Sequence, residues 1–457
     1  MSEETCTIAM LGAGPAAIYG ADKLASEGHD VVMLNRDIKP GGLAEFGIYP
    51  NKHRMKGGLR TVFRRILAKP NIHYFGNIEV GEDADITMDE VRSLGFDAVV
   101  VAVGAQGTRW LGLEGEDAEG VFHAKDFVYH FNKLPPFSQK EFAVGDDVCI
   151  VGFGNVALDI VHWLSCEEKV DTATIVYRRG PNERSCTARE LKIVSGAMDV
   201  EQIRAEIDRI APELDRVDQD PDEAFEDLTE YSDEPLETES PTKFRVAFLR
   251  SPERVVVDGD NRVEGLEVRH NELVPTSEGS RPGVEGTDET SVIDCDTVVF
   301  AIGDKIDPSL GLPLNPEWHG EYATVPEPWE AHPERPRYMV WDPEREEPLW
   351  DTFVVGWARK ASDGLVGKAK QDSEQGCEEV LAFLDGEFPE GPDGGRSADA
   401  IIDQLAELLG GRDIDPVDFE DVQRLESVEE DIAEERDQKE FKFASNERML
   451  EVIEESA

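Results

Sequence analysis

Two glycine-rich stretches have the residue types and spacing needed to grip a pyrophosphate. The first is Gly12-Ala13-Gly14-Pro15-Ala16-Ala17, after the apolar run Cys6 to Leu11. The second is Gly152-Phe153-Gly154-Asn155-Val156-Ala157, after Val148 to Val151. Glycines carry no Cβ, so the backbone N–H groups of a strand-to-helix turn can close on a pyrophosphate and meet it with the positive end of the helix dipole. A small third residue, Ala17 or Ala157, lets helix pack on strand. One such motif arises readily by chance. Two of them, with Gly12 and Gly152 140 positions apart in the same context, predict two dinucleotide sites and electron transfer. The plainer alternative, a pair of tight turns in an ordinary α/β fold, asks for no chemistry.

The elements that must position these turns are legible as alternating apolar runs and helical periods. Strands are expected at Thr7-Leu11, Asp30-Leu34, Ile72-Phe75, Ala98-Val103, Val148-Val151, Thr174-Tyr177, Thr242-Phe248, Arg262-Arg269, Thr297-Ile302 and Phe353-Val355. Helices follow the two turns over about Ala16 to Ser26 and Val156 to Ser165. This alternation predicts an α/β fold of parallel, doubly wound sheets, with two Rossmann-like dinucleotide-binding domains. The matching runs Asp97 to Gly104 and Asp296 to Gly303 suit two crossings between a split domain and an inserted one. The expected domains are residues 1–104 and 316–457 for the split one and 105–315 for the insertion. Residues 205–240, rich in Asp, Glu and Pro, read as a solvated excursion. Residues 397–457 read as an acidic helical tail, or as a mere surface appendage.

Composition narrows the partners. With 98 acidic against 46 basic residues the chain carries a formal charge of −52, which opposes binding to nucleic acid or an anionic membrane. Molar salt shortens the Debye length to about 3 Å, so such a surface suits a saline cytoplasm. No run of 18 apolar residues occurs, and no signal-like region precedes the first strand, so a cytoplasmic location is expected. Six scattered cysteines without a C-x-x-C pair predict no redox disulfide and no metal site.

One stretch breaks the acidic rule. Asn51 to Pro70 contains no carboxylate but holds Lys52, Arg54, Lys56, Arg60, Arg64, Arg65 and Lys69. A helix is expected from Leu59 to Ala68, with Leu59, Val62, Phe63, Ile66 and Leu67 inward and Arg60, Arg64 and Arg65 outward. The outward arginines either pair with the protein's own carboxylates or form a docking face for an acidic partner or for cofactor phosphates.

Several ordered runs resemble the adrenodoxin reductase type of ferredoxin-NADP reductase, a flavoprotein family related to the glutamate synthase small subunit. They are Gly41 to Pro50, Tyr74 to Gly81, Gly154 to Asp159, Arg178 to Pro181, Gly356-Trp357, Gly364 to Gly367, and the tail from Lys442-Phe443 through Met449-Leu450. The resemblance implies FAD in the first domain, NADP in the inserted one, and a ferredoxin-type iron-sulfur protein as partner at the Arg60/Arg64/Arg65 face. It implies FAD contacts at Gly12, Gly14, Ala16, Asn35, Leu43, Ile78, Val80, Trp357, Gly364, Leu365 and Val366. The family has a glutamate where this chain has Asn35, an amide that can still accept one bond and donate another. NADP contacts are implied at Gly152, Phe153, Gly154, Asn155, Val156, Arg178, Arg179 and Glu190. Paired guanidiniums after the strand suit the 2′-phosphate of NADP, where an acidic residue would read the bare ribose of NAD. Glu190 matches a family glutamate near the nicotinamide, and His53 is the candidate for moving a proton.

The expected reaction is hydride transfer from nicotinamide C4 to flavin N5, then release of single electrons. Two other readings stay open: an electron-input subunit like the glutamate synthase small subunit, and a non-catalytic flavin-binding interaction protein. The first usually carries a cysteine-rich cluster domain ahead of its first nucleotide turn.

Overall fold

The computed structural model describes residues 5–232, 240–276, 280–318, 320–326, 337–361, 364–388, 390–391 and 395–456. The chain divides into two compact units. One comprises Met1–Thr108, Phe131–Gln139 and Gly303–Ala457; the other comprises Arg109–His130 and Lys140–Ile302. Residues 105–108, 131–139 and 303–315, assigned from the sequence to the insertion, therefore lie in the first unit.

In the first unit Thr7–Leu11 is buried along its whole length and lies parallel between Asp30–Leu34 and Ala98–Val101. Ile72–Gly76 and Glu347–Val354 extend this parallel sheet on either side. Met339–Asp342 and Val417–Asp418 add antiparallel edges, giving seven strands among the described residues. Strands that read as continuous Val, Ile and Met runs are buried on both faces, as a helix-covered parallel sheet requires. Pro15–Ser26 packs along Val366–Leu384, where Gly20 leaves no room for a Cβ against the Ser373 hydroxyl.

The second unit repeats the logic with five parallel strands in the order Val121–His123, Thr297–Phe300, Asp147–Val151, Thr172–Tyr177 and Lys243–Phe248. Beside it lies an antiparallel sheet of Arg250–Val257, Val263–Val274 and Gly283–Asp294. In both units the strand that feeds the glycine turn has the next strand of its sheet on one side and a strand from much later in the chain on the other, the reversal of strand order at which open α/β sheets bind ligands.

Three expectations are corrected. Most of 205–240 is not a solvated excursion: Val200–Arg216 and Pro221–Thr229 are helices, the first burying Ile203, Ile207, Ile210 and Leu214; residues 233–239 lie outside the described ones. Nor is the C-terminal stretch an appendage. Ala398–Gly410 buries Ile401, Leu405 and Leu409, and Phe419–Glu435 buries Val422 and Leu425. The basic helix begins six residues early, at His53, and runs through Gly57 and Gly58 to Leu67.

Candidate nucleotide-binding sites

The first turn is built by close backbone approach. Gly12 adopts φ +98° and donates its N–H to the Leu34 carbonyl at 2.7 Å; a Cβ on it would collide with the Ala102 carbonyl. Gly14 is the extended N-cap of Pro15–Ser26, which starts without a capping side chain or a carboxylate in its first turn. A Cβ built on Gly14 meets no atom within 4 Å, so the space beside the helix start is open. The Gly41-Gly42 loop closes on this turn, with Gly41 N–H donating to the Ala13 carbonyl at 2.7 Å and Gly42 facing the Gly14 α-carbon. Gly356, at φ +65°, backs directly onto Ala16 and brings half-buried Trp357 to the same place. Asp372 fixes that turn, accepting the Gly356 N–H at 2.7 Å and gripping Arg359.

Asn35 follows the second strand and is 8 % exposed. Its amide nitrogen is committed inward, to the Asp37 carbonyl at 2.7 Å and the Tyr74 hydroxyl at 3.2 Å. Among the described residues nothing donates to its Oδ1, which leaves one acceptor for a ribose hydroxyl. The Asn35 carbonyl accepts the Ile78 N–H at 3.0 Å, so Ile78 and nearby half-buried Val80 share that strand end. Leu43 opens the short helix Leu43–Phe46, half-buried beside Gly47. Gly364 has φ +77°, Leu365 is 71 % exposed, and Val366 begins a helix with no capping side chain. His53 stands at the start of the basic helix with its Nδ1 buried and without a hydrogen-bond partner among the described residues.

The second turn repeats the first. Gly152, at φ +120°, would strike the Ala301 carbonyl with a Cβ, and its N–H donates to the Val176 carbonyl at 3.0 Å. Gly154 caps Asn155–Trp163 without a side-chain bond or an acidic first turn. Val156 is 46 % exposed on that turn. Segment 185–187 lies across it, with Ser185 and Cys186 N–H donating to the Phe153 carbonyl and Thr187 N–H donating to Asn155 Oδ1 at 2.9 Å. The Phe153 side chain, expected at the cofactor, is instead 1 % exposed in the core against Tyr177 and Phe248; only its backbone belongs to the turn.

Arg178 and Arg179 follow Thr172–Tyr177 and line a cavity of about 390 Å³ with Ser251, Asn271 and the ion pair Arg269–Glu253. In a chain with carboxylates to spare, exposed Arg178 has no carboxylate partner among the described residues, and Arg179 donates to the Pro282 carbonyl at 3.0 Å. Burial, with the Glu183 charge, raises the Tyr177 hydroxyl, while Arg179, Arg281 and Arg178 act to lower it. Glu190 is 9 % exposed in the first turn of Ala188–Val194. Asp372 was not legible in the sequence: it belongs to no motif, and only the fold brings it to the Gly356 turn.

The basic face is corrected. Arg60 forks onto Glu45 and Glu440, and Arg64 onto Glu426 and Glu430, so two of the three arginines are neutralised by the chain itself. The stripe Arg54, Gly58, Thr61, Arg65 and Ala68 is exposed, and among the described residues neither Arg54 nor Arg65 has a carboxylate partner.

Residues 6–208 match the family model described as pyridine nucleotide-disulphide oxidoreductase. The chain is 28 % identical over 476 residues to the NADPH-ferredoxin reductase FprA of Mycobacterium tuberculosis, covering 97 % of this chain and 98 % of that one. It is 26 % identical over 475 residues to the mitochondrial NADPH:adrenodoxin oxidoreductase of Arabidopsis thaliana, covering 97 % and 94 %. The solved structure of M. tuberculosis FprA in complex with NADPH superposes with a TM-score of 0.76 at 25 % identity, covering 99 % of each chain. By fold, then, the chain is a two-domain Rossmann flavoprotein, similar along nearly its whole length to reductases of adrenodoxin and ferredoxin.

Proposed function

We propose that this oxidoreductase, an enzyme of FAD and NADP(H), passes electrons between NADP(H) and a ferredoxin-type iron-sulfur protein. The observation that carries the reading is the duplicated, uncapped glycine turn, one per unit; the strand beside the one that feeds the second turn ends in Arg178 and Arg179, which have no carboxylate partner among the described residues. Both turns suit a pyrophosphate: Gly14 opens on empty space, Gly154 meets only the Ser185 hydroxyl, and neither helix start has a capping side-chain bond or a carboxylate in its first turn. When bound, the nucleotides supply a hydride passing from nicotinamide C4 to flavin N5, and a flavin that gives up electrons singly. The chain's own residues bind and orient. Gly12, Gly14 and Gly42 cradle the FAD pyrophosphate, Asn35 Oδ1 takes a ribose hydroxyl, and Trp357 covers the flavin ring. Arg178 and Arg179 take the 2′-phosphate, and Glu190 meets the nicotinamide end. The iron-sulfur partner docks on the Arg54/Arg65 stripe, where an acidic surface finds cations that the chain has not neutralised. The charge of −52 adapts the enzyme to molar salt and, together with the absence of any described helix long and apolar enough to cross a membrane, supports a cytoplasmic setting.

The test is titration of the purified protein with NADPH, then with candidate iron-sulfur proteins, in molar KCl. Bleaching of flavin colour followed by onward reduction is expected. A yellow protein that NADPH leaves unbleached would favour a flavin-binding interaction protein. Bleaching without transfer to any ferredoxin would favour an electron-input subunit.

A further inference from the structure

The first unit contains a charge cluster that nothing in the reaction uses. Lys39, Glu45, Lys56, Glu429 and Lys442 are each 5 % exposed or less. Burying five ionisable groups is costly unless each is matched in charge and hydrogen bonding. Here Lys442 Nζ forms an ion pair with Glu45 Oε1 at 2.5 Å and donates to the carbonyls of Glu45 at 3.1 Å and Asn132 at 3.3 Å. Glu429 grips Lys39 and accepts the Phe443 N–H at 3.0 Å, fixing the backbone next to Lys442. Burial works to raise the Glu45 carboxyl, yet Lys442, Arg60 and Lys39 around it hold it well below the usual carboxylate range. Glu45 is thus a fixed anion.

A contact path runs from this cluster to the first glycine turn. Lys442 holds Glu45, and the Glu45 side chain packs under Gly41 so closely that a Cβ there would clash with it. Gly41 in turn bonds the Ala13 carbonyl at 2.7 Å, and Gly42 abuts Gly14. All of these residues belong to one unit. We infer that Lys442 is a positioning residue for FAD: through its ion pair with Glu45, the C-terminal segment latches the Gly41–Gly47 loop against the pyrophosphate cradle and so sets how tightly the flavin is held. The inference rests on the assignment of FAD to the first cradle.

The test uses the full-length holoprotein, in molar KCl, as wild type, Lys442→Met, Lys442→Arg, Glu45→Gln and the double variant Glu45→Gln/Lys442→Met. The readouts are the FAD dissociation constant, from the fluorescence of released flavin, and binding of 2′,5′-ADP as a monitor of the other unit. Losing the pair should weaken FAD binding at least tenfold in Lys442→Met and in Glu45→Gln, with 2′,5′-ADP binding unchanged. Lys442→Arg should restore affinity to within a few-fold, and the double variant should be no worse than either single one, since the two residues act as one pair. Wild-type FAD affinity in Lys442→Met, equal loss in the Arg and Met variants, or additive losses in the double variant would each overturn the latch. If a single variant fails to fold, the charge-neutral double variant decides: wild-type affinity there overturns the latch, and weakened affinity supports it. A wild-type protein that binds no FAD at all would instead overturn the reading on which the latch depends.

Discussion

Arg178 and Arg179 show what a single side chain says about nucleotide choice. A solvated guanidinium without a carboxylate partner can turn to a phosphate without breaking an ion pair, and a charge-assisted bond to phosphate stabilises by about 1.5–3 kcal/mol. Replacing both, Arg178→Ala with Arg179→Ala, should raise the KM for NADPH at least tenfold while leaving the KM for NADH within about twofold, measured by steady-state dye reduction. An unchanged preference would place the phosphate elsewhere. Lys56 makes a second residue-scale prediction. It is 1 % exposed, and burial, aided by Lys442 and Arg60, pushes its ammonium down from 10.5 to about 7. Between those values the unfolded chain binds the proton that the folded chain has lost, so stability rises with pH across the window. The slope reaches at most about 1.4 kcal/mol per pH unit. Urea melts at pH 7, 8 and 9 should show that rise in the wild type and a flatter profile in Lys56→Met.

At the scale of elements, the basic helix His53–Leu67 separates two sets of arginines that the sequence merged. Arg60 and Arg64 face the chain's own Glu45, Glu440, Glu426 and Glu430, and their reversal to Glu should destabilise the fold. Reversing Arg54 and Arg65, on the exposed stripe, should slow ferredoxin reduction several-fold at moderate salt and leave NADPH-to-dye rates intact. Equal ferredoxin rates before and after would remove the docking face. The glycine turns were readable because local backbone geometry demands those residues: only glycine tolerates the φ of Gly12 or Gly152 and the carbonyl pressed against each. Val200–Arg216 was not read, because its charge count masks the spacing of Ile203, Ile207, Ile210 and Leu214. The partners of Arg60 and Arg64 lie more than 350 positions away for three of four carboxylates, and no local pattern encodes such pairings. Gly283–Asp294 was missed because an exposed edge strand shows no apolar alternation.

For the whole molecule, 98 acidic and 46 basic residues leave at least 52 carboxylates that no basic side chain can match one to one. Diluting salt from molar to about 0.1 M lengthens the Debye length from about 3 to about 10 Å, and repulsion then reaches between neighbours that molar salt insulates. The melting temperature should fall by several degrees on this dilution and recover when KCl is restored; a salt-independent melt would contradict the account. The partition of the chain also bears on synthesis. The unit holding Arg178 is closed by Ile302, whereas the unit holding Gly12 draws on residues beyond Gly303, including the edge strand Val417–Asp418 and Lys442. On the ribosome the unit holding Arg178 is therefore finished first, and the unit holding Gly12 can mature only when translation has delivered the distal third of the polypeptide.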